Sequence, residues 1–99
     1  MYKVYIDMTD RKINKVQLAN DGRVEHELIE EMGPVELVSK LLLEKNLNLE
    51  DIVSFEACEG PEGSFTGLKI AAATANTLNW ALKTGAKPIL PKYQTSKYD

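Results

Sequence analysis

The chain has 99 residues, 43% of them hydrophobic, which is enough for one domain with a modest core. Fifteen acidic and twelve basic side chains give a net charge of −3, so there is no overall basic footprint and tight autonomous binding to nucleic acid is not expected. The lone cysteine, Cys58, cannot close an internal disulfide and suits a reducing compartment, and no apolar run is long enough to span a bilayer, so a cytoplasmic protein with no membrane partner is expected.

Residues 2–8 alternate, with Tyr2, Val4, Ile6 and Met8 set against Lys3, Tyr5 and Asp7, which predicts a half-buried strand. A turn over 10–12 leads to a second strand over 12–19 with Val16 and Leu18 pointing inward. Asn20, Asp21 and Gly22 tolerate the positive φ of a tight hairpin. A third strand follows over 23–29, with Val24, His26 and Leu28 on one face and Arg23, Glu25 and Glu27 on the other. Gly33 and Pro34 open a helix over 35–45 whose inner side is Val35, Val38, Leu41 and Leu42, with Leu37 and Leu43 widening the apolar arc. A connector over 49–51 precedes a fourth strand over 52–58, in which Val53, Phe55 and Ala57 oppose Ser54 and Glu56.

The stretch 59–82 then organises the chain. It starts as a loop rich in glycine and hydroxyls and becomes an alanine-rich helix that nothing interrupts before Gly85. Ser64 or Thr66 can cap its first amides. Leu68, Ala71, Ala72, Ala75, Leu78 and Leu82 recur at helical spacing and form one face; Ile70, Ala73, Thr74, Thr77, Trp80 and Ala81 form a second face of mostly small residues. Two buriable faces call for two packing partners. Residues 87–90 can form a short fifth strand before Pro91, and 92–99 is a polar tail.

The order β-β-β-α-β-α-β predicts an α/β domain over 1–91: a five-stranded mixed sheet in the order 3-2-1-4-5, with both helices on one face. This is the ribonuclease-H-like lobe from which the actin-like ATPases are also built. The opposite sheet face would carry Lys3, Tyr5, Asp7, Lys15, Gln17, Glu25, Glu27, Ser54 and Glu56, polar enough to stand in water. That polarity favours a naturally one-lobed protein over a piece of a longer one.

Several chemistries can be weighed on these residues. A phosphate-binding P-loop needs Lys directly after its last glycine, but Leu68 follows Gly67, and Glu59 and Glu62 would repel phosphates. A serine-nucleophile elbow needs glycine two residues before and after Ser64, where Glu62 and Thr66 stand. The single histidine, His26, is expected in the core. Asp7, Glu36, and Glu56 or Glu59 could form a two-cation ribonuclease-H-type site, so a metal-dependent nuclease is the alternative reading.

Residues 60–70, GPEGSFTGLKI, resemble the G-P-G-S-F-T-G-L-R-I signature of the TsaB family, the glycoprotease-like proteins of tRNA threonylcarbamoyladenosine synthesis. Residues 73–78, ATANTL, are similar to that family's A-T-A-K-G-L, and Ile6-Asp7-Met8-Thr9 stands where the family has I-D-T-S. Glu62 is an extra residue within the loop, and only the first of the family's two lobes is matched. The resemblance implies a motif loop of Gly60, Pro61, Gly63, Ser64, Phe65, Thr66 and Gly67. It also implies a non-catalytic subunit that binds a TsaD-like transferase through its helices, at Val38, Leu41, Leu42, Ile70, Ala73, Thr74, Thr77, Trp80 and Ala81. It extends the partners to a TsaE-like ATPase, to a homodimer when the chain is alone, and to tRNA through the complex. No cofactor is expected in isolation, with ATP or ADP and magnesium belonging to the partner complex.

Overall fold

The structure, a computed structural model, describes residues 1–61 and 63–92. Strand β1 (Tyr2–Asp7) lies at the sheet interior, antiparallel to β2 (Asn14–Asn20), which is antiparallel to β3 (Arg23–Glu30). Asp21 and Gly22, with φ of 51° and 85°, make the two-residue turn between β2 and β3. Helix α1 (Pro34–Glu44) and a single 3-10 turn (Leu49–Asp51) lead to β4 (Ile52–Ala57), which runs parallel to β1. Helix α2 (Phe65–Ala81) follows. The sheet is mixed, with order β3-β2-β1-β4.

The registers Val4↔Leu18, Ile6↔Val16, Val4↔Phe55 and Ile6↔Ala57 put six apolar residues on one sheet face. Both helices cover that face, α1 with Leu37, Val38, Leu41 and Leu42 and α2 with Ala71 and Ala75, in one buried cluster. Each large side chain removed from water there contributes roughly 1.5–3 kcal/mol. Two breaks in strand alternation change the expected inward sets. A register shift between Leu18 and Ala19 turns Val24 into solvent, where it is 56% exposed. A second shift, between Tyr2 and Lys3, brings Ile52 into the core where alternation had placed Val53. On α1 the core residue is Leu37, while Val35 is exposed. His26 is not a core residue: it stands half-exposed, its Nε2 2.7 Å from Glu44 Oε1 at the end of α1.

The fifth strand expected over 87–90 does not form; among the described residues the sheet has four strands. The physical reason lies in two asparagines of α2. Asn79, buried, uses its amide as a strand would: Oδ1 accepts from Phe55 N–H and Nδ2 donates to Phe55 C=O, both at 2.8 Å. Asn76 does the same to Ile89, accepting its N–H at 2.7 Å and donating to its C=O at 2.9 Å. The return segment is therefore held by α2 at Ile89, and α2 takes the Phe55 position on the free edge of β4. The Lys92 N–H still reaches Glu59 C=O at 2.6 Å. The tail expected over 92–99 lies, beyond Lys92, outside the described residues, as does Glu62.

The opposite sheet face is open and polar, with Glu25 and Glu27 exposed. Gln17 donates to Glu27 at 2.5 Å, and Lys3 and Lys15 pair with Glu56 and Asp7 at 3.4 and 3.9 Å. Tyr5 sits half-buried among these groups. Burial pushes its phenol well above the ordinary range; the Cys58 thiol beside it, Asp7 and Glu56 push the same way.

Two measurements follow from this packing. Asn79→Ala should cost at least about 2 kcal/mol in chemical denaturation, because two buried backbone groups lose their partner. Asn79→Asp should not restore it, since a carboxylate cannot donate to Phe55 C=O; full stability in either variant would contradict the edge-capping role. In an ultraviolet pH titration, a component ionising well above the ordinary tyrosine range should be present and should vanish in Tyr5→Phe. Because the folded-state pKa is raised, the stability tied to Tyr5 is complete below about pH 10 and is lost as pH climbs beyond it. A high-pH curve that Tyr5→Phe leaves unchanged would contradict this environment.

Candidate functional site: the glycine loop and the outer helix face

The connection from β4 to α2 is built by close backbone approach. Cys58 N–H continues the ladder to Ile6 C=O at 2.9 Å. The chain then turns through Gly60 and Gly63, at φ of 85° and 103°, with a cis Gly60–Pro61 bond between them. Ser64 N–H donates to Thr9 C=O at 2.9 Å, and Ser64 Oγ caps α2 by accepting from Gly67 N–H at 3.2 Å. Of the two expected capping hydroxyls, Ser64 is the one used; Thr66 is exposed.

Gly67 is the tightest point. A β-carbon there would stand 1.7 Å from Met8 carbonyl O, which no side chain can accommodate. At Gly63 it would meet Thr9 Cβ at 2.4 Å, and at Gly60 the Lys92 carbonyl O at 2.5 Å. Asp7 holds the receiving turn in shape: its Oδ1 accepts from Thr9 N–H at 2.9 Å and from Thr9 Oγ1 at 2.6 Å. Asp7-Met8-Thr9 and the glycine loop are thus two halves of one joint, which seats the start of α2 on the end of β1.

This geometry bears on two of the chemistries. The Ser64 and Gly67 amides are spent on Thr9 C=O and Ser64 Oγ, so these two are not available to a phosphate. The candidate cation ligands do not assemble either. Asp7 is engaged by Thr9 and Lys15, Glu56 lies 3.4 Å from Lys3, and Glu59 lies 3.9 Å from Lys92. Among the described residues no three His, Cys, Asp or Glu side chains are grouped as a metal site. The nuclease reading is left without its ligand set.

The second face of α2 is where the sequence placed it. Ile70, Ala73, Thr77, Trp80 and Ala81 are exposed, Trp80 by 81%, while Leu68, Ala71, Ala72 and Ala75 are buried against the sheet. Thr74 is half-buried and its hydroxyl donates back to Ile70 C=O at 2.8 Å. Phe65, at the loop's end, is exposed with the Lys69 ammonium 5.8 Å from its ring centre. On α1, Val38, Leu41 and Leu42 lie in the lobe's own core, and the apolar residues turned to solvent are Val35 and Leu43. The sequence reading overlooked Asn76 and Asn79. Their signal was polar, poorly helix-forming side chains inside an alanine-rich helix, a position where an amide needs a specific partner.

A model of the TsaD family, described as tRNA N6-adenosine threonylcarbamoyltransferase, matches residues 29–90. That is well over half of the chain, and it takes in α1, β4, the glycine loop and α2. The chain belongs to this family. Within it, the fold is that of TsaB-like proteins, and it spans one lobe: YeaZ from Pseudomonas aeruginosa superposes with a TM-score of 0.71 and 25% identity over 83% of this chain and 40% of that one. A protein described as similar to peptidase YEAZ from Pseudomonas aeruginosa gives the same TM-score and identity over 93% of this chain and 43% of that one. The chain thus spans less than half the length of either structure. No curated protein sequence matches it significantly.

The joint can be tested by substitution. Gly67→Ala should destabilise by on the order of 3 kcal/mol or prevent folding, because backbone must move to admit one methyl. Ser64→Ala should cost only about 1 kcal/mol, the usual loss of a cap. Equal, small effects of the two in thermal or chemical unfolding would contradict the close approach.

Proposed function

We propose that the chain is a non-catalytic TsaB-like subunit that binds a TsaD-type transferase and supports threonylcarbamoyl transfer to the adenosine beside the tRNA anticodon. The observation that carries this is the outer face of α2. The helix is fixed by the glycine joint and by Asn79, yet Ile70, Ala73, Thr77 and Trp80 face solvent. Small residues there permit close approach of a second helix, and an exposed tryptophan is a common anchor of interfaces. Val35 and Leu43 extend the apolar surface onto α1, in place of Val38, Leu41 and Leu42.

On this reading the chemistry belongs to the transferase. ATP or ADP and magnesium enter with the assembled complex, as does a TsaE-like ATPase, and tRNA is met there. Without the transferase, the same face pairs two copies of the chain. The family match and the TsaB-like fold support this assignment.

Ala73→Glu is the direct test. The residue is exposed, so the variant should fold with an unchanged circular dichroism spectrum. In size-exclusion chromatography with light scattering it should be monomeric. It should bind a purified TsaD-type transferase at least tenfold more weakly, about 1.4 kcal/mol, because the charge would be desolvated without a partner. Gln17→Lys, on the open sheet face, should bind normally. Undiminished binding by Ala73→Glu would place the interface elsewhere, and a wild-type chain that ignores the transferase would end the proposal.

A further inference from the structure

The net charge of −3 conceals a division along the chain. Residues 1–62 hold fourteen of the fifteen acidic residues, while residues 63–92 hold four lysines and no acid. That acid-free part is α2 and the return segment. At its C-terminal end the single tryptophan borders an apolar groove of about 470 Å³, walled by Asn76, Asn79, Ala81, Ala86 and Pro88, with Lys83 at its rim. Lys83 is held at φ 53°, directly after the helix end, and Lys87 follows the Ala86 wall. Among the described residues neither lysine is in an ion pair; Glu56 and Glu59 line the neighbouring groove beside Lys87, and no acid lines the groove of Trp80. Three carbonyls of the helix end are satisfied within the chain. Leu78, Asn79 and Trp80 carbonyls accept from Leu82, Thr84 and Lys83 N–H at 2.9, 3.0 and 3.2 Å.

We infer that this groove takes an unpaired nucleotide of single-stranded RNA, the base stacked on the Trp80 indole and the flanking phosphates held by Lys83 and Lys87. An exposed aromatic ring supplies a sequence-tolerant stacking surface, Lys83 supplies a phosphate contact in a groove that no acid lines, and Lys87 supplies a second from the neighbouring groove that Glu56 and Glu59 also line. A purely apolar occupant would leave the lysines unused. The choice of RNA rests on the proposed role in tRNA modification. The site itself does not, since it uses Lys83 and Lys87 rather than Ile70 and Ala73. Trp80 stands where the two surfaces meet, its groove side serving the nucleotide.

The single tryptophan is its own reporter. With the isolated chain at low salt, about 20 mM, a single-stranded oligoadenylate of eight nucleotides should quench Trp80 fluorescence saturably. Raising salt should weaken binding with a logarithmic slope of about −1.4, the value for two phosphates on a single strand. Lys83→Glu with Lys87→Glu should weaken binding at least tenfold with the circular dichroism spectrum unchanged. Trp80→Ala, followed by anisotropy of a labelled oligonucleotide, should show a comparable loss. The inference is overturned if quenching does not saturate, if the double charge reversal leaves it unaltered, or if a duplex binds equally well. Equal binding by ATP alone, which would mark a mononucleotide site, or by an acidic aromatic peptide would also overturn it. Because no transferase is present, these outcomes are independent of transferase capture by the Ala73 surface.

Discussion

The contact between the backbone of Gly67 and the carbonyl of Met8 is the constraint on which the rest of the structure depends. A helix that starts this close to the end of a parallel strand cannot carry a side chain at the contact, and it has little freedom in direction once seated. The Asp7-Met8-Thr9 turn is shaped to receive it, and Ser64 closes the joint by capping the helix while its own amide reaches Thr9. Near the C-terminal end of α2, the Asn79 amide fastens the helix to Phe55. The alanines between these points let the helix lie close to the sheet, and its outer face is left with the small residues that a neighbour can approach. In this chain the glycine signature serves packing: it orients a surface.

Much of this was legible in the sequence because it depends on local rules. The Asn20-Asp21-Gly22 turn, the alternation of Val4 with Ile6 and of Val16 with Leu18, and the two faces of α2 each follow from the period of one element, and the structure keeps them. What was not legible depends on contacts between elements. Register shifts at Leu18/Ala19 and Tyr2/Lys3 exchange which residues face inward, and neither strand records its neighbour's bulge. On α1 the apolar arc was wide enough for either Val35 or Leu37 to face the core, and only docking on the sheet decides for Leu37. Residues 87–90 have the composition of a strand, but the hydrogen bonds a strand would need are met by Asn76 and Asn79 from the helix beside it.

The site was read in the same mixed way. The position of the motif loop and the outer stripe of α2 could be placed from spacing. The helix α1 share of the surface could not, because Val38, Leu41 and Leu42 are as apolar as any interface residue and are consumed by the core. The net charge, taken as a single number, obscured the acid-free stretch 63–92 and Lys83 beside Trp80. The joint between Asp7-Met8-Thr9 and the glycine loop, the open polar sheet face and the outward stripe of small residues are the features on which the proposed binding role rests.

The most direct measurement of that claim is position-specific photo-crosslinking with a purified TsaD-type transferase. A photoreactive residue at Thr77, central on the outer face of α2, should cross-link efficiently to the transferase, while one at Gln17, central on the open sheet face, should not. Cross-links formed from Gln17 and absent from Thr77 would show that the glycine joint orients α2 for something other than partner binding.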